Sequence, residues 1–360
     1  MGKNIVIMCD GTRQEGGRGA ACSNVYHVFN LLEDRTERQI TFYLPGLGVG
    51  RQRVLGSAGG LGISRNIQRC YGFLAEHYRA GDRIYLIGFS RGAATVRSLT
   101  ALIHHFGILP RSRPELIRAA YRIYRTRDTE RFPELARTFI ARHHTMWAKV
   151  TYIGCYDTVA ALGVSWHAPS KILDRIPGFR HRFHDFALSE SVEHAYQALA
   201  IDDERRTFHP VLWDAQVQPG QTLRQVWFAG MHTDVGGGYE DRGLSDITLT
   251  WLVDQGIRHG MRVYPKHRVT IEPDPAGRMH DSRGTPLQKL FRRQVRSWPD
   301  GRDDRPVIHD SVLQRISANG SPAGDRPEPR WILALDPEVE AWMPHDPARW
   351  EVDVSEPGVS

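Results

Sequence analysis

Arg83-Ile84-Tyr85-Leu86-Ile87-Gly88-Phe89-Ser90-Arg91-Gly92-Ala93-Ala94 holds the key to the fold. Its opening residues are mostly apolar and β-prone, as in a buried strand. Gly88 to Gly92 matches G-x-S-x-G, and good helix formers run from Ala93 to His105 before Gly107 and Pro110. A serine at so sharp a strand-to-helix turn takes strained backbone angles. Glycines two residues to either side remove Cβ atoms that would collide there. The helix that follows points its N-terminus at the serine, which favours negative charge on a reacting oxygen. Ser90 is therefore predicted to be a nucleophile. The backbone N–H of Arg91 is predicted to be one donor to a developing oxyanion.

Working outward, Asn4–Cys9 (NIVIMC) is a continuously apolar strand of the kind covered on both faces. Further strands are expected at Ile40–Leu44, Lys149–Cys155 and Arg224–Phe228. Helices are expected from the Ser23 cap to Leu32, from about Ser64 to Tyr78, and from Glu115 to His144 with a break at Pro133. Leu188–Ile201 and Ser245–His259 also read as helices. Strands alternating with helices imply an α/β fold with a mostly parallel central sheet flanked by helices. One domain over residues 1–315 is expected, with insertions at about 111–147 and 164–186. The second insertion is irregular, aromatic and basic. It reads as a lid, with Trp166 and Phe179 as substrate contacts. Beyond Trp298 the chain turns rich in Pro, Gly, Asp and Arg, so 316–360 reads as an extension packed on the domain or trailing from it.

Chemistry in open α/β sheets gathers at the carboxyl ends of the strands. In chain order those ends carry Asp10-Gly11-Thr12, Ser90, Asp157 and His232. Serine, then aspartate, then histidine is the order expected of an α/β-hydrolase. A serine needs a base to take its proton, and the base needs a carboxylate to hold its tautomer. His232 is expected as that base and Asp157 as that carboxylate. His309 remains a rival base, and Asp203 and Asp234 remain rival carboxylates. The backbone N–H of Gly11 or Thr12 is expected as the second oxyanion donor. Gly16-Gly17-Arg18-Gly19 is no phosphate loop, since no Gly-Lys-Ser/Thr follows. With H-E-x-x-H absent and no CxxC pair among Cys9, Cys22, Cys70 and Cys155, no metal and no cofactor are expected.

The net charge is +6, from 47 Lys and Arg against 41 Asp and Glu, and the positive charge is mostly arginine scattered along the chain. No basic block with interleaved aromatics marks a nucleic-acid module, so no nucleic acid is expected as partner. A mildly basic surface is compatible with peripheral contact to an acidic membrane. The first residues, Met1-Gly2-Lys3-Asn4 and a short apolar run, do not read as a signal peptide, and no stretch approaches the ~18 apolar residues of a transmembrane helix. A cytoplasmic protein as synthesised is the expectation.

With Cys9–Thr12, Gly81–Ala93, Asp157–Val159, Ala198–Arg206 and Trp227–Tyr239 taken together, the sequence resembles a known family, the catalytic domain of the type VI secretion phospholipase effectors of family one and their stand-alone homologues. The resemblance is carried by Cys9-Asp10-Gly11-Thr12, by Gly81-Asp82-Arg83-Ile84-Tyr85 leading into Gly88–Ala93, by Asp157-Thr158-Val159 and by Ala198–Arg206. Its most specific part is Trp227-Phe228-Ala229-Gly230-Met231-His232-Thr233-Asp234-Val235-Gly236-Gly237-Gly238-Tyr239. It implies an α/β-hydrolase fold and a triad of Ser90, Asp157 and His232. It implies lipolytic carboxylester hydrolysis, with phospholipid acyl esters as substrates. A type VI export route and a secretion-system or immunity partner would follow from the large effectors. Their long C-terminal membrane-associating region is not expected within these 360 residues. Two other functions are compatible with the residues: a carboxylesterase for a non-lipid acyl ester, and a non-catalytic interaction module on the same fold.

Overall fold

The computed structural model describes residues 2–12, 14, 16–17, 21–46, 60–110, 113–159, 187–264, 269–299, 302–318 and 329–350. The expected lid at 164–186, with Trp166 and Phe179, lies outside the described residues.

Among the described residues eight strands form one sheet: β1 (Asn4–Cys9), β2 (Gln39–Leu44), β3 (Arg83–Phe89), β4 (Val150–Tyr156), β5 (Val192–Ala200), β6 (Thr222–Phe228), β7 (Val307–His309) and β8 (Glu338–Glu340). Their order is β2-β1-β3-β4-β5-β6-β7-β8, and neighbouring strands are parallel throughout. This is an α/β-hydrolase-like fold. Side-chain alternation divides β1 between two cores. Ile5, Ile7 and Cys9 face the first, and Val6 and Met8 the second. The first core is covered by α2 (Gly60–His77), α3 (Arg91–Phe106), α4 (Pro114–Tyr124) and α5 (Phe132–His143), after α1 (Asn24–Leu31) has crossed to the second. There α1 is joined by α6 (His232–Gly236) and α7 (Gly243–Arg258). Pro133 sits in the first turn of α5 rather than inside a helix, which is where a missing N–H costs nothing. The α4–α5 insertion is closed at its base by two backbone hydrogen bonds between Ile108 and Met146, of 2.7 and 2.8 Å.

One expectation is corrected. Leu188–Ile201 is not a helix, because its core, Val192–Ala200, is the strand between β4 and β6. The alanines, glutamate and glutamine of this segment favour a helix by propensity. That preference is worth only tenths of a kcal/mol per residue and yields to a central slot in the sheet. Ala195, Ala198, Leu199 and Ala200 are all fully buried there. The region after Trp298 adds to the sheet. Val307–His309 and Glu338–Glu340 extend the sheet by two short strands, and Ile308, Val312 and Ile332 build a third core with Leu199 and Trp227.

None of the four cysteines forms a disulfide. No helix among the described residues is long and apolar enough to cross a membrane.

His309, at the end of β7, is buried, stacked on Phe228 at 4.7 Å, and within 2.8 Å of the Ser311 hydroxyl through Nδ1. Burial lowers its pKa from 6.5 to about 4. The group is therefore neutral in the fold and protonated more readily when unfolded. The stability it contributes is present above pH 6.5 and lost as pH falls through about 4. The loss should be on the order of 3 kcal/mol. A His309→Gln protein should show a flatter fall in melting temperature across that window. Parallel curves for variant and wild type would contradict this reading.

Candidate active site

Every residue of the expected constellation within the described chain lies at the carboxyl edge of the sheet. Ser90 follows β3 with φ 56° and ψ −120°, a strained conformation for a residue with a side chain. Its N–H donates to the Tyr156 carbonyl at 3.0 Å, which ties the turn to the end of β4. The flanking glycines are sterically required. A Cβ on Gly88 would lie 2.6 Å from the Ala93 Cα, and one on Gly92 would lie 2.0 Å from the Cys9 carbonyl oxygen. The second contact also shows that the N-terminus of α3 rests directly on the end of β1. That packing brings the Asp10–Thr12 loop beside Ser90, where the second oxyanion donor was expected.

Within that loop Asp10 acts as a structural node. Its Oδ1 accepts the Gly11 N–H at 2.6 Å, and its Oδ2 accepts the hydroxyls of Ser23 and Tyr43, both at 2.6 Å. Ser23 in turn caps α1 by accepting the Tyr26 N–H. Burial raises the Asp10 pKa to about 6, against the pull of these three hydrogen bonds. The Gly11 N–H, one of the two candidate donors, is thus engaged by Asp10. The Thr12 hydroxyl accepts from the Arg91 guanidinium, which fastens the loop to the first residue of α3. Asp10→Ala would strand buried donors at Gly11, Ser23 and Tyr43. It should cost about 2–3 kcal/mol in a denaturant titration, and an unchanged midpoint would show that the node is dispensable.

Asp157 follows β4 with φ 40° and is completely buried. Its Oδ2 lies 2.6 Å from Nδ1 of His232, the first residue of α6 after β6. Its Oδ1 accepts the Ala200 N–H at 3.0 Å. The rest of the carboxylate is held by a residue the sequence reading did not single out. Arg296 donates Nη1 to Oδ1 at 2.7 Å and Nη2 to Oδ2 at 2.8 Å, and is itself buried. The same guanidinium donates to the carbonyls of Ala200 and Phe208. Burial alone would raise the Asp157 pKa. The Arg296 charge and its hydrogen bonds, with the His232 bond, outweigh burial and hold the carboxyl well below the usual range. Asp157 is thus an anion at neutral pH. No sequence signal marks Arg296, which is one arginine in the loop Gln294-Val295-Arg296-Ser297.

The rival carboxylates are engaged elsewhere. Asp203 is paired with Arg205 at 2.5 Å and takes the backbone N–H of His232 at 3.3 Å, so it seats the histidine without touching its ring nitrogens. Asp234 accepts the Met231 N–H at 3.0 Å and lies 2.6 Å from Nδ1 of His280. The His232 ring packs against Phe89, the neighbour of Ser90, at 4.7 Å, and edge-on to Phe208 at 5.1 Å. The glycines after it serve this contact. A Cβ on Gly236 would lie 2.0 Å from the Phe89 ring, and Gly237 has φ 75° where the chain bridges to Ser23. Among the described residues no group of three or more His, Cys, Asp or Glu side chains is placed to hold a metal ion.

Residues 3–255 match the family described as T6SS, phospholipase effector Tle1-like, catalytic domain. An uncharacterized protein of Saccharomyces cerevisiae is 29% identical over 235 residues, which is 58% of this chain and 32% of that one. The crystal structure of an uncharacterized protein from Pseudomonas aeruginosa is 16% identical with a TM-score of 0.49, covering 76% of this chain and 49% of its own. The structure of the Tle1 effector bound to the VgrG spike of the type 6 secretion system is also 16% identical, with a TM-score of 0.34, over 66% of this chain and 52% of that one. The chain therefore spans about a third of the yeast relative and about half of each solved chain. With more than half of its residues inside the matched region, the chain belongs to the Tle1-like T6SS phospholipase effector family, through that family's catalytic domain.

Proposed function

We propose that this protein is a serine carboxylester hydrolase acting on phospholipid acyl esters, with Ser90 as nucleophile, His232 as base and Asp157 as its carboxylate. One observation carries the reading: a buried 2.6 Å bond from Asp157 Oδ2 to His232 Nδ1, in a histidine packed against the strained Ser90 elbow. With Nδ1 on the carboxylate, Nε2 is left to accept the Ser90 proton. The Ser90 oxygen adds to the ester carbonyl, and the resulting oxyanion is met by the N–H groups of Arg91 and Thr12. The intermediate collapses as His232 returns the proton to the departing lysophospholipid oxygen. Water, deprotonated by the same imidazole, then frees the fatty acid and restores Ser90. Membership of a family described by phospholipase effectors supports a lipid acyl ester over other esters.

A fluorophosphonate probe followed by a substrate panel tests this. The wild-type protein should label once, at Ser90, and should release fatty acid from phospholipid vesicles. Turnover confined to short-chain nitrophenyl esters would replace the lipid by a smaller acyl ester, and absence of labelling would end the serine mechanism.

A further inference from the structure

On the face away from α7, helices α2 and α4 enclose a groove of about 760 Å³ lined by Arg65, Arg69, Arg118, Arg122 and Arg125. All five arginines are exposed, and among the described residues no carboxylate lines the groove. Among the described residues none of the five is ion-paired, although ion pairs hold arginines elsewhere on this surface, such as Arg262 with Glu33 and Arg293 with Glu204. Five guanidiniums on facing helices repel one another, which costs stability unless an anion lies between them. The floor is apolar, formed by the buried Ile117 and Tyr121. Gly72 keeps it open, since a Cβ there would already touch Ile117.

The groove also has a direction. The C-terminal end of α2 sits at the amino edge of the sheet, where the His77 carbonyl accepts from Lys3 at the start of β1. At ~1.5 Å per residue, Ser64 and Arg65 are about 20 Å further along, level with the carboxyl edge that holds Ser90. Helix α4 runs antiparallel, with Ile117 beside Gly72 and Tyr121 bonded to Ser64. Arg65 and Arg125 thus stand at the catalytic end of the groove.

We propose that this groove binds the phosphates of anionic phospholipids and docks the protein on a bilayer with its catalytic edge toward the lipid. The choice of a lipid surface rests on the lipolytic reading above. Guanidiniums match phosphate oxygens bidentately, and the aliphatic stems with Ile117 provide an apolar bed beside them. A nucleic acid fits less well, because bases need exposed aromatic platforms and the ring in the groove, Tyr121, is buried.

The test compares wild type with a protein carrying Arg69→Gln, Arg118→Gln and Arg122→Gln together. All three positions are exposed, and equal thermal melts will establish that both proteins are folded. Wild type should co-sediment with vesicles of phosphatidylcholine and phosphatidylglycerol in equal parts, and weakly with phosphatidylcholine alone. The triple variant should partition onto the anionic vesicles on the order of 100-fold less, while its turnover of a soluble short-chain ester stays at the wild-type value. Equal sedimentation of the two proteins would overturn the proposal. So would binding of inorganic phosphate or of a single-stranded oligonucleotide to the groove with no preference for anionic vesicles. If wild type hydrolyses no ester at all, the hydrolase reading fails, and sedimentation still decides the groove.

Discussion

Replacing Ser90 by alanine should lower kcat by at least ~10⁴-fold while the melting temperature stays near the wild-type value. The expectation of intact folding has a structural basis. Ser90 contributes its backbone N–H to the Tyr156 carbonyl, and α3 begins without a side-chain cap from the serine, so removing the hydroxyl breaks neither of these contacts. His232→Ala should cost about as much, because members of a triad act as a unit. Asp157→Asn should cost on the order of 10⁴-fold by releasing the tautomer. It also sets an amide against the Arg296 fork, so a loss of stability should accompany it. The measurement is kcat per fluorophosphonate-titratable site for Asp157→Asn, and per folded protein for the other two. Near-wild-type ester turnover by folded Ser90→Ala protein would remove the serine mechanism altogether.

The second large effect is expected at Arg296. Arg296→Met removes two charge-assisted bonds and leaves Asp157 buried with only the Ala200 N–H and His232 as partners. Stripping one member from a buried ion pair costs about 3–5 kcal/mol. A second consequence distinguishes positioning from bulk stability. With the guanidinium gone, the full charge of Asp157 acts on the imidazolium, so the base is lost at a higher pH. The acid limb of kcat/KM should move up by on the order of one pH unit. Arg296→Lys keeps the charge without the fork, so its limb should stay near wild type while kcat falls. The position of the limb does not depend on how much protein is folded, which makes it readable even in a weakened variant. If Arg296→Met and Arg296→Lys have the same limb as wild type, Arg296 only holds its loop.

The reach of Arg296 bears on how the chain is organised. It lies past residue 255, where the family match ends, yet it closes the carboxylate of Asp157. The loop that carries it is latched to the end of β5 by backbone bonds from Arg206 to Arg292 and from Gln294 to Glu204, and by the Arg293–Glu204 pair at 2.7 Å. The segment after 255 therefore completes the candidate site.

Much of this architecture could be read along the chain. Unbroken apolar runs such as NIVIMC mark strands buried on both faces, because only a parallel sheet covered by helices hides both sides of a strand. The elbow was legible because its glycines answer to contacts made within one strand–turn–helix unit and the strand beside it. The positions of Asp157 and His232 followed from the rule that strand ends converge. Three features were decided only by tertiary structure. Val192–Ala200 carries helix-favouring residues and becomes a strand because the slot between β4 and β6 outweighs small propensities. The three-residue strands β7 and β8 are too short to show any period. The selection of Asp157 over Asp203 and Asp234, and the arrival of Arg296 beside it, depend on which distant charges the fold brings within 3 Å. A hydrophobic period repeats along the chain and can be counted there. A buried ion pair between residues 157 and 296 leaves no pattern in sequence, because its energy exists only once both groups have left water together.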